Sequence, residues 1–72
     1  MQLRVTFDRD ADAAYIYLRE IGSGGVAETI VCDDVPVNLD LDKQGHLIGI
    51  EILGATGMLP VDVIQAAEQL GR

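Results

Sequence analysis

The 72-residue chain has one cysteine, one histidine, no tryptophan, two tyrosines and one phenylalanine. Each scarcity excludes something. A lone Cys32 closes no internal disulfide and points to a reducing compartment. Its next expectation is a small buried hydrophobe. Basic residues are few: Arg4, Arg9, Arg19, Lys43 and Arg72, against twelve acidic residues and a net charge of −7. They form no stripe, and phosphate binding needs clustered cations to displace counterions. Nucleic acid is therefore excluded as a direct partner. No apolar run reaches the length of a membrane span or resembles a signal peptide. The expectation is a cytoplasmic protein without membrane association.

A chain this short forms one domain, residues 1–72. It buries only about 60% of its unfolded surface. Small folds of this kind lean on a disulfide, a metal or a partner subunit. With the disulfide gone, metal or association remains.

What the chain does have is alternation. Leu3, Val5 and Phe7 share one strand face; Ala14, Ile16 and Leu18 oppose Tyr15, Tyr17 and Arg19. Strands are predicted over about 2–7, 14–21, 26–31, 35–41 and 46–53. Gly22-Ser23-Gly24-Gly25 breaks the chain between the second and third. Pro60 suits the start of a helix, and Val63, Ile64, Ala67 and Leu70 follow at helical spacing, so a helix is predicted over about 60–70. The fold class is α+β: a five-stranded antiparallel β-meander with one C-terminal α-helix packed on one face.

Asp40 to Glu51, DLDKQGHLIGIE, matches a calcium-loop template everywhere except Gln44. That loop needs flanking helices and convergent ligands, whereas strands flank this one. A four-residue hairpin loop, Asp42-Lys43-Gln44-Gly45, explains it better, with Gly45 in the left-handed conformation. The predicted register pairs Leu41 with His46, Leu39 with Ile48, Val37 with Ile50 and Val35 with Ile52. It sets Asp40 and Glu51 about 13 Å apart, too far for one ion or for an inverting carboxylate pair. DRDAD, Asp8 to Asp12, reads as an Asx-rich turn. Asp12, Gly45 and Gly49 are assigned structural roles at turns.

Other chemistry is sparse. Gly22-x-Gly24-x-x-Ala27 imitates a dinucleotide fingerprint but leads into a strand, where the fingerprint needs a helix. Cys32 and His46 fall in different turns, and Ser23 has no basic neighbour. No catalytic residue, cofactor or metal ligand is assigned.

Tyr15, Tyr17, Arg19, Leu47 and Leu53 are predicted to share a face with Arg4 and Ile30, opposite the core. Tyr and Arg among aliphatics compose a contact patch; the plainer reading is cross-strand pairing, such as Arg19 with Glu28. One helix about 16 Å long covers only part of a five-stranded apolar face. A homodimer that covers the rest is expected, with Met58, Leu59 and Val61 at the contact.

FDRDADAAYIYL, then Glu28, then NLDLDKQGHLIGIEILGA resemble a small bacterial family, domain of unknown function 2283, over roughly residues 7 to 55. The resemblance is carried by Ala11-Asp12-Ala13, Gly45 and Gly49-Ile50-Glu51-Ile52; Phe7 stands where the family more often has Tyr. It implies a compact β-rich domain with no established activity and no catalytic residue to transfer. Some members look as though they are encoded beside small toxins, which implies an antitoxin-like role. The functional expectation is a non-enzymatic interaction module that self-associates and binds a small basic protein. The alternative is a metal-dependent binder or minor enzyme using Asp8, Asp10, Asp12 and Glu51.

Overall fold

The turn after the first strand is shaped by Asp8, whose carboxylate accepts hydrogen bonds from the backbone N–H of Asp10 (3.0 Å) and Ala11 (3.3 Å). Asp12 then takes a left-handed conformation, φ 50°, which Asp tolerates better than most residues. This turn joins β1 (Arg4–Asp8) to β2 (Ala13–Tyr17) in an antiparallel hairpin. The computed structural model describes residues 3–71. Gln2, where the first strand was expected to begin, lies outside them.

β3 (Glu28–Val31), β4 (Val37–Leu41) and β5 (Leu47–Leu53) follow as a second antiparallel run. Two short helices come next, α1 (Ala55–Met58) and α2 (Val61–Ala66), and then a final strand, β6 (Glu68–Leu70). All six strands form one sheet in the order β3-β4-β5-β2-β1-β6. The fold is α+β, with a mostly antiparallel sheet.

The simple meander is corrected in two places. β2 pairs with β5 rather than β3, because the connection from Leu18 to Ala27 carries the chain across to the far edge. A link of that length is too long for a tight hairpin, whose loops run to about five residues. The single helix over 60–70 is also corrected. α2 stops at Ala66, Ala67 is extended (φ −71°, ψ 154°), and Glu68 to Leu70 pair in parallel with Thr6 to Asp8. Gln69 donates its side-chain amide to the carbonyls of Ile64 and Ala67, and so ties the new strand to the end of α2.

The β4–β5 hairpin turns on Gly45 at φ 83°. Its register also differs from expectation. Leu39 faces Ile50 and Val37 faces Ile52, while Leu41 faces Leu47 and Asp40 faces Gly49. Ile48 is left without a partner, so a bulge absorbs one residue. The pairing is shifted by two, and the apolar residues of β4 keep their face.

The core face carries two rows of side chains. Phe7, Ala14, Ile52 and Val37 lie in one, and Val5, Ile16, Ile50, Leu39 and Ile30 in the other. Ala55, Leu59, Ile64 and Ala67 pack on it from the helical segment. The first row is the better covered: Phe7, Ala14 and Ile52 are buried, whereas Val5, Ile16 and Ile50 are only partly so. Leu3, expected inside, is 59% exposed, and Val35 is 45% exposed. Val31 pairs with Asn38 on the opposite face and is 67% exposed. No helix among the described residues is long and apolar enough to cross a membrane.

Candidate functional site

The face opposite the helices is polar and aromatic. Register builds it in two neighbouring rows: Thr6, Tyr15, Glu51 and Asn38 in one, and Arg4, Tyr17, Gly49, Asp40 and Thr29 in the other. Gly49 sits within β5 rather than in a turn, and it leaves a gap between Tyr17 and Asp40. The Tyr15 ring fills that gap from the adjoining row. A β-carbon at residue 49 would meet the Tyr15 ring and hydroxyl well inside contact distance.

Tyr15 uses the gap to donate its hydroxyl to Asp40 Oδ2 at 2.5 Å. Asp40 Oδ1 accepts from Thr29 Oγ1 at 2.6 Å, so both carboxylate oxygens are engaged. Burial, then the hydrogen bond to Asp40 and the charges around it, pushes the Tyr15 hydroxyl above its ordinary range. It is a donor at any physiological pH. Tyr15 and Tyr17 meet edge to face, centroids 4.6 Å apart, and the Arg4 guanidinium lies 4.3 Å from the Tyr17 ring centre, within cation–π range. Glu51 accepts from Asn38 Nδ2 at 2.8 Å.

The expected patch is only partly one surface. Tyr15, Tyr17 and Leu53 share this face by register, with Leu53 exposed at its end. Leu47 is separated from them by the bulge at Ile48 and pairs with Leu41. Ile30, placed on the tyrosine face by sequence, lies on the core face opposite Leu39. Arg19 does not pair with Glu28. Its guanidinium reaches Asp42 Oδ2 at 3.1 Å.

The calcium-template carboxylates have different tasks. Asp42 is buried in its own turn, where Oδ1 accepts from the backbone N–H of His46 (2.9 Å) and Gln44 (3.0 Å). Those bonds, led by His46 N–H and joined by the charges of His46 and Arg19, hold its carboxyl below the usual range against an opposing effect of burial. Asp40 and Glu51 are diagonal neighbours on β4 and β5, about 7 Å apart. The register shift thus corrects the expected 13 Å, yet each carboxylate faces its own partner.

The acidic turn is also dispersed. Asp8 closes the turn itself, and Asp12 turns its carboxylate to Thr56, accepting from both its N–H and its hydroxyl at 3.0 Å. Glu51 lies on β5 opposite Tyr15, away from all three. Cys32 is partly exposed rather than buried. Of the expected contact residues, Leu59 packs against the core, while Met58 and Val61 are 40% and 71% exposed.

The family of proteins of unknown function DUF2283 matches residues 4–55. The chain belongs to this family. The DUF2283 match spans β1 through the first residue of α1, and so takes in both rows of the tyrosine face and the Asp12 turn. It stops short of α2 and β6. No curated protein and no solved structure matches the chain.

Sequence reasoning missed the Tyr15–Gly49–Asp40 contact. The alternation put Tyr15 and Asp40 on their strands, but only the β2–β5–β4 order and the bulge bring them together.

Proposed function

We propose that this family member is a non-enzymatic interaction module that self-associates and binds a small basic protein, in an antitoxin-like role. The observation that carries the reading is the tyrosine face. Tyr15 is locked by Asp40 and Gly49, and Tyr17 by Arg4, so the surface presents aromatic groups in fixed positions at little entropic cost. Glu51, Glu20 and Glu68 lie on or beside it, within a chain of net charge −7. That charge suits a basic partner.

Self-association is supported by the incomplete core. No large side chain among the described residues is fully buried, and Ile30, Val31, Val26 and Val35 are all exposed. A domain of this size gains stability by covering such surface with a second subunit. The helical edge at Met58 and Val61 is a further apolar surface available for that contact.

Native mass spectrometry of the chain alone, with calcium or magnesium, and with a small basic protein encoded beside it tests the reading. A multiple of the single-chain mass, unchanged by metal and increased by the basic protein, is the expected result. A stoichiometric gain in metal alone would favour the acidic-turn binder at Asp8, Asp10, Asp12 and Glu51. A single chain that takes up neither would overturn the proposal.

A further inference from the structure

One edge of the sheet is unprotected. β3 borders only β4, all four of its residues are exposed, and its sequence is Glu-Thr-Ile-Val. Edge strands are ordinarily blunted by lysine, proline, a bulge or a covering loop, because their free backbone groups invite another strand. The paired part of β3 carries no lysine, proline or bulge, and its one charge, Glu28, sits at the start of the strand. The opposite edge, β6, is three residues long.

The free backbone groups can be assigned. Cys32 N–H donates to the carbonyl of Val37, which fixes the phase of the ladder by turning the backbone N–H of Cys32 towards β4. Antiparallel ladders alternate, so Ile30 is bonded to Leu39 as well, and at the start of the strand the Leu41 carbonyl accepts from Ala27 N–H. Thr29 and Val31 are then the residues whose N–H and C=O point outward from the edge.

We propose that β3 is the homodimer interface, pairing antiparallel with β3 of a second copy across a two-fold axis at Ile30, so that the two six-stranded sheets become one. The inference rests on the self-association proposed above and gives it a surface and a register.

The extent of the strand and the bonds already made at its ends select that register from its neighbours. With Ile30 opposite Ile30 of the second copy, Thr29 faces Val31, and each such pair exchanges both of its outward backbone hydrogen bonds. The two Ile30 side chains meet in a non-hydrogen-bonded pair, where strands approach closest. Glu28 then faces Cys32, so no acid opposes an acid along the strand. Centring on Val31 instead needs Thr29 to bond the backbone of Asp33, which lies in the bend between β3 and β4 and outside the strand. Centring on Thr29 sets Ile30 against Glu28 and needs the N–H of Ala27, which already donates to Leu41.

The test removes the native thiol by Cys32→Ser and adds Ile30→Cys, with Val31→Cys in the same background as control. Mild oxidation at micromolar protein is followed by a non-reducing gel. Ile30→Cys should give a cross-linked dimer, since its partner thiol is directly opposite. Val31→Cys should stay a single chain, because its counterpart is displaced along the strand beyond the reach of about 7 Å that a disulfide allows.

A second variant, Val31→Pro, removes one outward N–H and leaves the β4 ladder intact, as edge proline permits. It should sediment as a monomer with an unchanged far-ultraviolet spectrum. Three results overturn the proposal: a dimer in solution that Ile30→Cys fails to cross-link, a folded Val31→Pro that remains dimeric, or cross-linking as efficient at Val31→Cys as at Ile30→Cys. In each of these the self-association reading survives on another surface. A single-chain mass for the unmodified protein overturns both.

Discussion

Asp12 holds Thr56 with both oxygens of its carboxylate, accepting from the backbone N–H and from the hydroxyl at 3.0 Å each. The contact spans 44 positions of sequence. It supplies what α1 lacks locally, since its N-cap is Gly54 and has no side chain to offer. The Asp12 carbonyl accepts from Ala55 N–H as well, so one residue ties the β1–β2 turn to the start of the helical segment.

Removing that cap should be costly. Asp12→Ala loses the acceptor and places a β-carbon at φ 50° without the local compensation that Asp offers. A loss of about 1–2 kcal/mol is expected from urea unfolding. Asp12→Asn keeps one acceptor and tolerates the left-handed conformation, so it should lose clearly less. Equal losses for the two would show that the cap is not what matters.

Gly49 and Tyr15 should be coupled. Gly49→Ala puts a methyl where the Tyr15 ring lies, and overpacking of this kind costs about 1–3 kcal/mol. Tyr15→Ala vacates the space at its own cost. The double variant should therefore be more stable than the sum of the two losses implies. Strict additivity in a denaturant series would mean that the ring does not occupy the gap.

Much of this was legible in the chain, and the exceptions have causes. Gly45 between two alternating apolar runs announces its hairpin, and the phase of Tyr15 and Tyr17 against Ala14 and Ile16 announces two faces. The strand Glu68–Leu70 was not legible, because Ala67 and Leu70 continue the helical spacing of Val63 and Ile64. Its extended form comes from the free edge of β1, a tertiary influence that local propensity does not carry. The short third strand was assigned the wrong phase, since Ile30 and Val31 are both apolar and only its pairing with β4 decides which faces the core. The Asp40–Glu51 spacing was missed through the Ile48 bulge, which no residue type signals.

Acid should weaken the fold partly through Asp42. Its carboxyl is held below the unfolded value of about 3.9 by the N–H groups of His46 and Gln44 and by the neighbouring charges. A carboxyl lowered in the fold contributes stability that is complete above about pH 5 and is lost as pH falls through the folded value. The stability difference between the native chain and Asp42→Asn should accordingly shrink between pH 7 and pH 2.5. Urea midpoints at the two pH values measure it. A constant difference would mean that Asp42 acts through shape rather than charge.

Sedimentation equilibrium at micromolar concentration and near-physiological salt decides whether the chain self-associates. Salt at that level shortens electrostatic repulsion to about 8 Å, so the acidic surface does not by itself hold two copies apart. A mass twice that of the 7.7 kDa chain is expected. A single species at 7.7 kDa across the concentration range would contradict it.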